Sequence, residues 1–149
     1  MRNSKPLTTE EFKGIYSKVP RVCVEVIVRT PEGIALTLRS LPTWHNQWHL
    51  PGATVLYKET VDEAVQRAAQ EELGISVTVE KLLGYIHYPS EEKERGFGWG
   101  IGLAFLCRPN DLKMKINTDA SEVKIFSSIP DNMIAEQAEF LKSQGLLKR

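Results

Sequence analysis

Cysteine is scarce, neither sign of charge dominates, and no apolar run is long. The 149 residues contain two cysteines, Cys23 and Cys107. Both lie in apolar runs without paired spacing. That speaks against a disulfide framework or a zinc site and suits buried thiols of a reducing compartment. Lys and Arg number 19, as do Asp and Glu. A net charge of zero leaves no electrostatic footprint for nucleic acid or an anionic membrane, so neither is expected as a partner. A small phosphorylated ligand is not excluded, because it needs only a local basic patch. The N-terminus has no apolar h-region and no stretch reaches membrane-spanning length, so the expected location is cytoplasmic. No repeat, low-complexity tract or linker divides the chain. With 42% hydrophobic and 26% charged residues, a single domain over 1–149 is expected.

Local patterns give the order of elements. Thr8 or Thr9 can cap a short helix whose apolar side, Phe12, Ile15 and Tyr16, should dock on the body. Pro20 ends it. Arg21 to Thr30, RVCVEVIVRT, is rich in β-branched residues and reads as a buried strand. Pro31-Glu32-Gly33 is a turn, and Ile34 to Arg39 is the hairpin partner. Arg39 then ends a strand where it can reach into a cleft. Residues 40–47 form a loop.

From Val61 to Leu73, apolar or small residues fall at 61, 64, 65, 68, 69 and 73, a helical period. Thr60 or Asp62 caps its start and Gly74 follows as a stop. Val77, Val79 and Leu82 to Tyr88 predict one or two strands. Pro89 to Arg95, PSEEKER, reads as a charged turn or flexible loop. Phe97 to Cys107 is a strand whose glycines at 98, 100 and 102 admit a ligand or a close backbone. Glu122 to Ser127 is a final strand. Asp131 caps a last helix through Leu141, with Met133, Ile134, Ala138 and Leu141 facing inward. The order predicts an α/β sandwich with helices packed on a mixed sheet.

The chemistry concentrates in Gly52 to Ile75, GATVLYKETVDEAVQRAAQEELGI. Arg67 can touch Glu71 or Glu63 one helical turn away. Glu71 and Glu72 project near a helix C-terminus, whose dipole disfavours carboxylates. A hard divalent cation compensates such a placement, and the Gly52 carbonyl would add a third oxygen. Two glutamates alone prove little. Glu63, Arg67 and Glu71 also fit an exposed ion-pair ladder worth about 0.3–0.5 kcal/mol per pair.

The full pattern resembles the Nudix box, G-x5-E-x7-R-E-U-x-E-E-x-G-U, with U aliphatic. Gly52, Glu59, Arg67, Glu71, Glu72, Gly74 and Ile75 occupy the matching places, after the lead-in Trp48-x-Leu-Pro-Gly52. The resemblance implies a Nudix-like α/β/α sandwich with a mixed sheet. It also implies a hydrolase of nucleoside diphosphates linked to another moiety, using Mg2+ or, alternatively, Mn2+. Three departures stand out. Six residues, not five, separate Gly52 from Glu59; Ala68 stands where the family has glutamate; Ala53 replaces a common second glycine.

The first two departures occur together in the GDP-mannose mannosyl hydrolase branch, which FKGIYSKVPRVCVEVIV also resembles. That resemblance implies a single magnesium held by the Gly52 carbonyl and Glu72, and the paired glutamates themselves add Glu71 as a candidate ligand. It implies Arg39 and Arg67 on the diphosphate, and water attacking the sugar carbon. The branch also has an arginine where this chain has Thr54, and a catalytic histidine in a loop that here reads Asn117 to Glu122. Asp119 or Glu122 is the nearest replacement base, Glu122 the stronger, and Glu72, Arg67 and Glu122 are the expected catalytic residues.

Among the remaining residues, Trp99 and His87 are expected substrate contacts, and Trp44 can stack on a ring. Trp48 reads as packing, His45 as loop surface, and His49 as pointing off the sheet. His87 is open between core and cleft. A nucleotide substrate, probed as a nucleotide sugar, is the expected partner; a homodimer is left open. The rival readings are a Nudix-fold binding module without turnover and a nucleoside triphosphate pyrophosphohydrolase.

Overall fold

The computed structural model describes residues 3–111, 113–114 and 120–148. Eleven elements follow in order: α1 (Thr9–Tyr16), β1 (Arg21–Thr30), β2 (Gly33–Arg39), β3 (Trp48–His49), β4 (Gly52–Thr54), α2 (Val61–Leu73), β5 (Val77–His87), α3 (Ser90–Arg95), β6 (Gly100–Pro109), β7 (Ala120–Phe126) and α4 (Ala135–Ser143). The strands make one mixed sheet, in the order β3-β2-β1-β6-β5, with β4 joined to β1 and β7 to β2. β1 and β6 run parallel from Arg21 opposite Gly100 to Val28 opposite Cys107. The other pairings are antiparallel.

Alternation along β1 divides the core between the two faces. Val24, Val26 and Val28 pack with Ala64, Val65, Ala68, Ala69 and Leu73 of α2. Ile27 joins Leu36, Trp48, Leu106, Met133, Ala138 and Leu141 on the α4 side. The result is the expected α/β/α sandwich. No helix is long and apolar enough to cross a membrane among the described residues.

The predicted helix α2 keeps its boundaries. Thr60 caps it in a reciprocal box with Glu63, and Gly74 ends it in a left-handed conformation, φ 70°. Glu63 is thus engaged by the cap rather than by Arg67. At the N-terminus, Thr8 caps α1, but α1 buries no residue and docks only through half-buried Phe12 and Tyr16. Val77, Val79 and residues 82–87 belong to a single strand, β5, with two irregularities in its pairing, and Tyr88 follows it.

Two local expectations are corrected. PSEEKER is not a flexible loop. Residues 90–95 form α3, because Glu91 is drawn fully inside by Arg21 and Arg95. Asp131 does not cap α4. Residues 132–134 are tied to Trp48, whose N–H donates to the Asn132 carbonyl and whose carbonyl accepts from Ile134 N–H. The helix therefore starts only at Ala135, without a side-chain cap. β6 likewise begins at Gly100, because Gly98 sits at φ +107° with its Cα side against the Glu91 carboxylate. The glycines at 98, 100 and 102 do permit close approach, but the approaching groups are Glu91, Glu25 and Tyr88.

Candidate active site

α2 carries the functional side chains on the side that faces β4. Arg67 binds Glu59 through Nε (2.8 Å) and Nη2 (3.0 Å), Glu71 through Nη1 (2.9 Å), and the Thr54 carbonyl through Nη2 (2.8 Å). These bonds use most of the five N–H donors of the guanidinium. Arg67 therefore acts as a clamp joining loop, helix and β4, which narrows its expected role on the diphosphate. Lys58, just before Glu59, takes a left-handed conformation, φ 63°. Glu59 is buried, and its Oε1 also accepts from Leu56 N–H.

The register of β4 decides what Gly52 can do. Val26 N–H donates to the Pro51 carbonyl and Val55 N–H to the Val22 carbonyl, so Gly52 opposite Glu25 falls in a non-hydrogen-bonded pair. Its carbonyl turns away from β1, to the same edge as the Thr54 carbonyl that Arg67 reaches. Gly52, Arg67, Glu71, Glu72 and Arg39 all line one cavity of about 670 Å³. Two glutamates and a main-chain carbonyl are hard oxygen donors that fit magnesium, which keeps several waters and shares the rest with phosphate. No group of three or more acidic, histidine or cysteine side chains placed to hold a metal ion is found among the described residues. Ala68, fully buried under the sheet, adds none.

The other predicted residues are dispersed. Arg39 donates to the Thr43 carbonyl (2.7 Å) and Oγ1 (2.7 Å), and its Cζ lies 5.4 Å from the Trp44 ring centre. Trp44 is buried and lines the cavity. Trp99 and His87 do not line it. They form an exposed ring contact 6.1 Å apart, with Tyr85 5.2 Å from His87. His87 is thus neither core nor cleft. Glu122 lies on β7 opposite Leu38, 3.3 Å from Lys124 Nζ, and is not part of the lining. Asp119 lies outside the described residues. Trp48 is core, as expected, and His45 is exposed. His49 does not point off the sheet: it is buried, with Nε2 2.9 Å from Thr37 Oγ1 and Nδ1 2.8 Å from the Leu50 carbonyl.

The cavity floor holds groups that motif reading missed. Glu25 is buried and accepts from Gln137 Nε2 (3.1 Å), which also donates to Tyr88 Oη (2.9 Å). Gln137 Oε1 in turn accepts from Leu50 N–H. One signal was available: a lone acid in a run of β-branched residues is rarely buried without a reason. Arg21 donates to Thr54 Oγ1 (2.8 Å), to Cys23 Sγ (2.8 Å) and to Glu91 Oε2 (2.9 Å). Burial pushes the Cys23 thiol up to about 12, so this lining thiol is no nucleophile.

Burial also pushes the Glu25 carboxyl up to about 8, against the pull of Tyr88, Arg21 and Arg39. It pushes His49 down to about 3, helped by Arg39. Folded Glu25 keeps a proton that the unfolded chain releases near the ordinary 4.5, so stability is lost as pH rises from about 4.5 to about 8. Folded His49 refuses a proton that the unfolded chain takes near 6.5, so stability is lost as pH falls from about 6.5 to about 3. The two slopes oppose each other in the shared window. Replacing Glu25 by Gln should therefore uncover a stability loss on acidification from pH 6.5 to 4.5 that the parent lacks. Urea melts of the metal-free protein check this, and parallel curves would refute it.

The sequence model of the NUDIX domain matches residues 19–137. The chain is 32% identical over 128 residues to the low-salt glycan biosynthesis protein Agl8 of Haloferax volcanii, covering 82% of each. It is 32% identical over 107 residues to an ADP-ribose pyrophosphatase of Methanocaldococcus jannaschii, covering 72% of this chain and 62% of that protein. The structure of a MutT NUDIX hydrolase from Burkholderia pseudomallei superimposes with a TM-score of 0.75 at 21% identity, over 83% of this chain and 97% of that one.

Proposed function

The chain belongs to the NUDIX domain family, and on that premise we propose that it is a magnesium-dependent hydrolase of a nucleoside diphosphate derivative, with a nucleotide sugar as substrate. One observation carries the reading: Gly52, Glu71, Glu72, Arg67 and Arg39 line the same cavity. A cation held by the Gly52 carbonyl, Glu71 and Glu72 neutralises charge on the diphosphate when bound. Arg67 sets the two glutamate-bearing turns against β4, and Arg39 faces the phosphates. The volume is that of an ordinary small-molecule site.

The sugar part of the reading has two supports. The floor presents Glu25, Tyr88, Gln137 and Arg21, polar groups suited to sugar hydroxyls, to the same cavity. A relative is named for glycan biosynthesis. Glu122, the acid of β7 beside the Arg39 end of β2, is the proposed general base. Its separation from the lining and the burial of Ala68 favour, as a second reading, a module that binds without turnover.

The experiment is a magnesium-supplemented screen of nucleotide sugars, ADP-ribose and nucleoside triphosphates. Turnover of a nucleoside diphosphate sugar is expected. Binding without turnover would leave only the second reading, and pyrophosphate release from triphosphates would replace the substrate class. Hydrolysis in 18O-labelled water then locates the attack: label in the sugar means carbon, label in phosphate means phosphorus.

A further inference from the structure

Arg95, the last residue of α3, is held by three contacts and aimed by them. Its Nε lies 3.0 Å from Oε2 of fully buried Glu91. Its Cζ lies 5.6 Å from the Phe12 ring centre and 5.7 Å from that of Trp44. Neither ring contact uses an N–H, and the two Nη nitrogens meet no hydrogen-bond acceptor among the described residues. A guanidinium has four N–H donors there. Arg95 is three-quarters buried and lines the site cavity, so those donors lack full access to water.

Trp44 beside it is a built feature. It sits at φ 48°, a costly conformation for a bulky residue. Two bonds to α3 hold it there: its N–H donates to Glu94 Oε1 (2.6 Å) and its Nε1 to Ser90 Oγ (3.1 Å). The same ring carries Arg39, whose Cζ is 5.4 Å from the ring centre. One strained tryptophan thus organises two guanidinium groups that line one cavity.

The charges favour an anion at this end. Arg67 is neutralised by both Glu59 and Glu71. Arg21 and Arg95 share the single carboxylate of Glu91. Around Trp44 three guanidinium groups, Arg21, Arg39 and Arg95, face two carboxylates, Glu91 and Glu94, which leaves an excess positive charge where Arg95 presents its donors. Guanidinium groups in that state take phosphate oxygens in pairs of parallel hydrogen bonds.

We propose that Arg95 is a substrate-binding residue whose Nη donors take a phosphate oxygen of the substrate, with Arg39 as its neighbour on the Trp44 ring. The assignment rests on the diphosphate reading above and moves the second phosphate-binding arginine from Arg67 to Arg95. Glu91 is the positioning residue behind it.

Inorganic pyrophosphate is the probe, titrated calorimetrically into metal-free protein so that only side chains hold it. Arg95→Ala should weaken its binding by about 10-fold or more, the range of a charged hydrogen bond. Arg95→Lys, which keeps the charge but not the fork, should fall between. With Arg21 still paired to Glu91, melting temperature should stay near the parent's. Arg108→Ala, at an exposed pair outside the cavity, should bind as the parent does. For any nucleotide sugar turned over, KM should rise in Arg95→Ala with kcat less affected. Unchanged pyrophosphate binding in both Arg95 variants, or none by the parent, overturns the assignment. If no nucleotide is hydrolysed while Arg95 still governs pyrophosphate binding, the hydrolase reading fails and the assignment stands. If hydrolysis is found and neither KM nor pyrophosphate affinity depends on Arg95, the reverse holds.

Discussion

Replacing Glu72 by Gln should lower kcat by on the order of 10²-fold or more while leaving stability unchanged or slightly raised. The two effects separate because Glu72 sits at the wrong end of α2 for a carboxylate. Its negative charge opposes the helix dipole there, by about 0.3–1 kcal/mol. Gln has nearly the same shape and removes that repulsion. The clamp that holds the turn, Glu59 and Glu71 on Arg67, does not pass through Glu72. A fold-determined role would therefore show as a loss of stability, and a metal role as a loss of turnover alone. Glu71→Gln is the instructive contrast, because it also loosens Arg67.

Magnesium gives a second readout. A cation that binds only the folded state raises the melting temperature by mass action. Added magnesium should stabilise the parent and leave Glu72→Gln unmoved. Full turnover by Glu72→Gln, or equal magnesium stabilisation of the two proteins, would remove Glu72 from the site.

The largest loss of stability is expected at Glu91. Its side chain is 0% exposed and binds Arg21, 13% exposed, at 2.9 Å and Arg95, 23% exposed, at 3.0 Å. Glu91→Ala would leave two mostly buried guanidinium groups close together without their counterion. Breaking one side of a buried ion pair costs about 3–5 kcal/mol, a large share of the total stability of a domain, about 5–15 kcal/mol. Nothing nearby can fill the gap, since Gly98 and Gly100 are the neighbours that made room for the carboxylate. An exposed pair sets the scale. Arg108 and Glu80 are 3.4 Å apart with side chains 61% and 36% exposed, so Glu80→Ala should change stability by less than about 1 kcal/mol. Urea midpoints of the two variants check the contrast. Equal small shifts would mean that α3 is held by something other than Glu91.

Much of the molecule was legible before any coordinates. β1 and α2 carry one strong signal each, a dense β-branched run and a 3.6-residue period with caps at both ends, and their limits came out as read. The proposed metal-binding face was legible for a related reason. Arg67, Glu71 and Glu72 lie on one helix, whose geometry relates their side chains, and Gly52 precedes them in the same local stretch. Local rules failed where a distant partner overrode them. PSEEKER looks like solvent-exposed charge until Arg21, seventy positions earlier, draws Glu91 inside. Asp131 looks like a cap until Trp48 ties residues 132–134 with two backbone hydrogen bonds. Trp99 looked like a ligand contact because it is aromatic and near glycines, and His87 was open between core and cleft. Alternation along β5 turned His87 outward, and Trp99, in the segment just before β6, is exposed beside it.

The family, the sandwich, the acidic end of α2 and the likeness of the whole box to a metal site were determined by the sequence alone, because each depends on spacing along the chain. The floor of the cavity was decided only by the tertiary structure. Arg21 and Glu25 come from β1, Tyr88 from the edge of β5, Arg95 from α3 and Gln137 from α4. Their burial, their shifted protonation and their shared hydrogen bonds arise only when the sheet closes between α2 and α4. No local pattern encodes a desolvation that distant residues impose.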